Sequence, residues 1–199
     1  MDTTRNRIIT ISRQFGSGGR TIGRQTALRL GIPCYDQELI EKISQESGLS
    51  RDFIKEKGEY ASHGGRLANA FSDRSFEGVS MQDFLWTVQR KIILDLAEKG
   101  PCVIVGRCAD YILRDKARCL NVFIHADMAK RAERIVRLYG ETEEEPLKRL
   151  KEKDRRRAAY YRFYTDSEWG SAQNYHLTLD SGMFGIDRCT DIITGLYGE

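Results

Sequence analysis

Residues 8–23 read Ile-Ile-Thr-Ile-Ser-Arg-Gln-Phe-Gly-Ser-Gly-Gly-Arg-Thr-Ile-Gly. A short β-branched apolar run (Ile8, Ile9, Ile11) enters a turn holding Gly16, Gly18 and Gly19, and the chain then continues as a helix-like segment. Strand, glycine-rich turn and helix in this order form the setting of a phosphate-binding loop. Glycines let successive backbone N–H groups converge on an anion. The start of the following helix adds its positive dipole end. Against the pattern G-x-x-x-x-G-K-[ST], Gln14 stands at the first glycine, Arg20 at the lysine and Thr21 at the hydroxyl that faces a metal. Arginine keeps the charge but presents a longer, planar fork.

A chain of 199 residues is expected to form one domain with a substantial core. Its 40% hydrophobic and 31% charged residues are those of a globular protein. A net charge of +3 predicts no general affinity for nucleic acid. Cys34, Cys102, Cys108, Cys119 and Cys189 form no C-x-x-C pair, and an odd count is no disulfide framework. With no leader-like segment and no apolar run of membrane-spanning length, a reduced, cytoplasmic protein is expected.

Apolar periodicity alternates along the chain. Strands are predicted over 7–12, 32–35, 102–105, 120–125 and 175–179. Helices are predicted over 21–30, 37–47, 80–99, 126–139 and 187–197. In the long helix opened by Ser80 and Asp83, Met81, Phe84, Leu85, Val88 and Ile92 are expected on one face. The alternation predicts βαβ units and a mostly parallel sheet covered on both sides. Ligands bind such sheets beyond the strand C-termini. The Gly16–Thr21 loop, Asp36, Gly106-Arg107 and His125–Asp127 all leave from such ends. Residues 48–79 and 140–170 are polar or densely charged and read as inserts over the cleft rather than separate domains.

These pieces, in order, resemble the bacterial cytidylate kinases and their cytidylate kinase-like relatives, within the nucleoside monophosphate kinases. The resembling segments are Ile8–Thr21, Tyr35-Asp36-Gln37, Val103–Arg107, Val122–Arg134, Leu150–Arg157 and Leu177–Ser181. The resemblance implies a three-layer α/β P-loop kinase fold with a mostly parallel five-stranded sheet. It also implies one domain over 1–199, with an acceptor-binding insert (37–99) and a lid (140–168). The implied reaction is phosphoryl transfer from ATP, with Mg²⁺, to a small phosphorylated acceptor such as CMP. No nucleic-acid or membrane partner is expected, and the chain would act as a monomer or homodimer.

Phosphoryl transfer is mostly positioning and charge neutralisation. Gly16, Ser17, Gly18, Gly19, Arg20 and Thr21 are the expected donor-phosphate loop. Arg131 and Arg134, three residues apart on one helix, are expected to add cations to it. Thr21 and Asp36 are the candidate oxygens for Mg²⁺. Asp36, Lys42, Arg107 and the lid's Arg156 are candidates for the acceptor, and Arg20, Asp36 and Arg131 for the chemistry itself. Arg107, after a strand and a glycine, suits a bidentate grip on a phosphate. Tyr160, Tyr161, Phe163 and Tyr164 read as a packing face of the lid helix or as a base-stacking surface. None of His63, His125 and His176 has metal-ligand spacing.

The chain departs from the family pattern in several places. Val105 replaces the aspartate before Gly-Arg, leaving Asp36 or Asp110 as substitutes. Gln37 and Lys42 replace a serine and an arginine. Arg155, Arg157 and Ala158 replace Asp, Asp and Arg after Asp154. Two alternatives follow: a nucleotide-binding regulator with weak turnover, or a kinase for another small metabolite, for which Asp36 is the best-placed base. A basic nucleic-acid surface over 130–162 is opposed by the acidic residues interleaved there.

Overall fold

The computed structural model describes residues 7–57 and 80–197. Its sheet has five parallel strands in the order β2-β3-β1-β4-β5. These are β1 (Arg7–Arg13), β2 (Cys34–Tyr35), β3 (Cys102–Val105), β4 (Arg118–His125) and β5 (Leu177–Asp180). The central β1 pairs with β3 from Ile8↔Cys102 to Ile11↔Val105, and with β4 from Arg7↔Arg118 to Arg13↔Ile124. Side chains alternate across the pleat. Ile8, Cys102 and Ile104 therefore enter one apolar layer, while Ile9, Ile11, Val103 and Val105 enter the other. Burial on both faces explains why β3 reads as an unbroken apolar run and Ile8–Ile11 of β1 as one interrupted only by the small Thr10.

Helix α1 (Gly19–Leu30) follows the glycine turn and ends on Gly31 in the left-handed region. Next come α2 (Gln37–Ser47), α3 (Arg51–Lys57) and α4 (Met81–Lys99). Ser80 caps α4 by accepting from the Asp83 N–H. The chain continues through α5 (Ala109–Ile112), α6 (Met128–Tyr139), α7 (Pro146–Thr165) and α8 (Ser181–Tyr197).

Several boundaries differ from expectation for local reasons. β2 is only two residues long: Pro33 has no N–H to give, and its carbonyl accepts from Val103 instead. β5 starts late because Tyr175 closes a 3-10 turn onto Ala172. The last helix begins at Ser181, six residues early, and kinks at Gly185, whose φ is 76°. On α4, Leu85, Val88 and Ile92 are buried as expected, but Phe84 is exposed and the buried face continues through Gln89, Ile93 and Leu96. The charged 140–170 stretch contains a single 20-residue helix, α7. Residues 58–79 of the expected insert lie outside the described residues.

Candidate active site

The glycine turn at the C-terminal end of β1 is built around its backbone. Gly16 and Gly18 have φ of 79° and 84°. A side chain on Gly16 would meet the Arg131 carbonyl at 2.9 Å, and one on Gly19 would lie 2.5 Å from Arg13 Cβ. Gln14 does not need glycine's freedom, which explains its place at the motif's first position. Its N–H donates to Ile124, its side-chain oxygen accepts from the Ala126 N–H at 3.2 Å, and its carbonyl accepts from Ser17 Oγ at 2.9 Å. The Ser17 hydroxyl is thus spent on holding the turn. Ser181 Oγ lies 2.5 Å from the Ser17 carbonyl, tying the β5 end to the same loop.

Five arginines crowd this loop in different ways. Arg20 Nε donates to Asp36 Oδ1 at 3.1 Å and lies 2.9 Å from Oδ2. The Asp36 side chain is 5% exposed and that of Arg20 41%, so the carboxylate is fixed and the guanidinium still reaches the cleft. Arg24 stands 3.6 Å from the same carboxylate. Arg134 Nη2 donates to Thr21 Oγ1 at 3.0 Å. Burial, and then the charge of Arg137, hold the Arg134 guanidinium below its usual range.

Arg131 turns away from its helical neighbour Arg134. It is buried, and Nη1 donates to Asp154 Oδ2 at 2.6 Å and to the Phe15 carbonyl at 3.2 Å. Asp154 Oδ1 accepts from the Phe15 N–H at 2.7 Å. Helices α6 and α7 are thereby riveted to the loop. Arg157, named in the sequence only as a departure from the family pattern, is buried, donates to the Arg13 carbonyl at 3.1 Å, and lines the hollow over Gly16–Thr21 with Arg20, Arg134 and Tyr139. Arg131 and Asp154 do not line it. Arg156 is held by Glu152 at 2.7 Å. Hydrogen bonds from Arg156 and Arg155 hold the Glu152 carboxyl at about 2.

On the acceptor side, Lys42 is exposed on α2. Arg107 is buried at 5% exposure, with φ of 60°. Its Nη1 donates to the Ile54 carbonyl at 3.2 Å and to Gln89 Oε1 at 3.3 Å. Among the described residues it has no carboxylate partner. Val105 packs in the apolar layer, its Cγ2 3.0 Å from where a Cβ on Gly23 would be, so this position faces α1 and not the cleft. Asp110 is also withdrawn: it is buried, accepts from Tyr161 Oη at 2.7 Å, and burial raises its pKa. Tyr160, Tyr161 and Tyr164 form a packing face with Cys108 and Trp86, and Trp86 stacks on Tyr164 at 4.2 Å, while Phe163 is exposed.

The residues fit a nucleotide with its metal. A cavity of about 320 Å³ adjoins the loop at Gly16 and Ser17 and runs between α6 and the start of α8. Among the described residues no group of three or more His, Cys, Asp or Glu could hold a metal by itself. Mg²⁺ takes most of its shell from phosphate and water and needs only one or two protein oxygens. Asp36 Oδ2 is buried and takes no aligned hydrogen bond, its ion-pair contacts being Arg20 at 2.9 Å and Arg24 at 3.6 Å, and the Thr21 hydroxyl lies at the start of α1. Among the described residues, no helix is long and apolar enough to cross a membrane.

Comparison with known proteins agrees with this architecture. Residues 8–183 match the sequence model of the cytidylate kinase-like family. A cytidylate kinase of Aeropyrum pernix is 27% identical over 173 residues, covering 86% of this chain and 88% of that protein. A solved structure of an uncharacterized protein from Eubacterium ventriosum superposes with a TM-score of 0.73 at 27% identity, over 96% of this chain and 98% of the other. Shikimate kinase from Acinetobacter baumannii, solved with shikimate, shares the fold with a TM-score of 0.55 at 17% identity, over 98% and 94% of the two chains. The sheet order, the loop and these neighbours are those of the P-loop kinase fold.

Proposed function

Because the chain belongs to the cytidylate kinase-like family, we propose that it moves the terminal phosphoryl group of ATP to a nucleoside monophosphate, with CMP the first candidate. The observation that carries the reading is Arg107. A buried guanidinium whose partners among the described residues are all neutral is costly until an anion reaches it. A phosphate monoester supplies that anion in the required geometry.

In this proposal the N–H groups of Gly16–Thr21 and the side chains of Arg20, Arg134 and Arg157 hold the donor phosphates. Arg107, with Lys42 and Arg156 at the rim, holds the acceptor. An acceptor phosphate oxygen forms the new bond to the donor's terminal phosphorus as the bond to the bridging oxygen breaks, and ADP leaves with that oxygen. No general base is required, since the acceptor oxygen is already ionised. Thr21 and Asp36 are the residues that would hold Mg²⁺ and its water, and the ion's contribution is to neutralise donor charge. Arg131 acts through Asp154, keeping the loop in shape. The insert over 37–99 and the lid over 140–168 belong to the same proposal. The packing of Tyr160, Tyr161 and Tyr164 supports motion confined to the part of the lid before Arg157. A cytoplasmic setting agrees with five cysteines held outside any disulfide.

A second reading, a nucleotide-binding regulator with weak turnover, is favoured by β3, which carries no carboxylate along its length. Arg107→Ala separates the two. On the kinase reading it raises the acceptor's KM about ten-fold or more while the KM for ATP stays within about two-fold. A defect confined to ATP would contradict the placement of Arg107.

A further inference from the structure

Helix α4 buries an apolar face, and Gln89 sits in the middle of it, between Leu85, Val88, Ile92 and Ile93. It has no exposure to solvent. An amide so placed is costly unless its hydrogen-bonding groups are used. Here they are used, and mostly on one residue. Gln89 Nε2 donates to the main-chain carbonyl of Arg107 at 3.1 Å, and Gln89 Oε1 accepts from the Arg107 guanidinium at 3.3 Å. The second Nε2 hydrogen goes to Tyr160 Oη at 3.3 Å.

Arg107 needs such a clamp. Its φ of 60° lies in the left-handed region, and Cys108 follows with 54°. Bulky residues adopt that conformation only when their surroundings enforce it. Gln89 grips both the strained carbonyl and the side chain, while the Ile54 carbonyl takes the same Nη1. Among the described residues, the hydrogen bonds that the Arg107 side chain donates both leave from Nη1. The clamp is also neutral. A glutamate there would still accept from the guanidinium, but it would cancel the charge and could not donate to the Arg107 carbonyl.

We infer that Gln89 is the positioning residue of the acceptor site. It fixes the Arg107 guanidinium without neutralising it, so that the anion that completes the pair is the phosphate monoester of the acceptor. Through Tyr160 it ties that orientation to α7, the helix whose other residues, Asp154 and Arg157, reach the donor loop. This rests on the acceptor reading given above for Arg107.

The test uses the full chain and two variants, Gln89→Glu and Tyr160→Phe. With ATP and CMP, Gln89→Glu should raise the acceptor KM about ten-fold or more, with the KM for ATP within about two-fold. Tyr160→Phe, which removes only the link to α7, should lower kcat more than it raises the acceptor KM. A Gln89→Glu enzyme with unchanged acceptor KM overturns the inference and leaves the kinase reading standing. If the wild type turns over no phosphorylated acceptor, the kinase reading fails instead, and calorimetry with inorganic phosphate decides on Gln89. Binding about ten-fold weaker in Gln89→Glu upholds the clamp. Equal binding, or none to the wild type, overturns it.

Discussion

Arg131 and Asp154 meet at 2.6 Å inside the protein, and the second Asp154 oxygen holds the Phe15 N–H at 2.7 Å. One carboxylate therefore joins α6, α7 and the start of the phosphate loop. Removing it strands a buried guanidinium, a loss that typically costs about 3–5 kcal/mol. Asp154→Ala should lower unfolding stability by that order in a urea titration, and Asp154→Asn by less. A loss under about 1 kcal/mol would show that the rivet bears little.

The pairing of Arg20 with Asp36 gives Arg20 two duties. On the proposed reading, Arg20→Ala removes a donor-phosphate cation and leaves the Asp36 carboxylate with less compensation. Donor binding or turnover should fall about ten-fold or more, roughly 1.4 kcal/mol. Arg20→Lys should recover part of this, because it restores charge but not the Nε contact. Activity unchanged in Arg20→Ala would remove the residue from the site.

Gly19 opens α1 against Arg13, with only 2.5 Å between Arg13 Cβ and the place of an added Cβ. Gly19→Ala should cost about 1–3 kcal/mol of stability, as overpacking does. It should also weaken ATP binding, because the strain falls on the turn itself. Calorimetric titration of ATP checks the second effect, and wild-type affinity in Gly19→Ala would count against the loop.

Asp110 titrates in the direction opposite to most carboxylates. Burial raises its pKa above the ordinary 3.8, outweighing the Tyr161 hydrogen bond. Between the unfolded and the raised folded value, the folded state binds more protons, so stability falls as pH rises through that window. Asp110→Asn removes the titration and keeps an acceptor for Tyr161. Its stability relative to wild type should improve from pH 4 upward and then level off. A difference independent of pH would refute the assignment.

Much of this was legible because it is local. The glycines, Arg20 and Thr21 are contiguous, and the strand and helix around them show in their own periodicity. The five strands were legible for the same reason, with errors where a neighbour decided the boundary, as Pro33 did for β2 and the Ala172 turn for β5. The arginines were harder. Spacing put Arg131 and Arg134 near one face, yet a carboxylate 23 residues further on turns Arg131 toward the back of the loop. Arg157 gave no sign, within a run of charges, that it alone of Arg155, Arg156 and Arg157 is buried. Gln89 did carry a signal, a polar residue on an otherwise apolar helical stripe. Its meaning depended on Arg107, which only the fold brings to it.

Acceptor-dependent phosphoryl transfer would show itself as ADP formation from Mg·ATP measured with and without CMP, UMP and dCMP. One of these acceptors should raise the rate at least about ten-fold over the acceptor-free rate and be recovered as its diphosphate. ATP bound tightly, with no acceptor from this set or from a wider panel of phosphorylated metabolites raising the rate, would contradict it and favour the regulator.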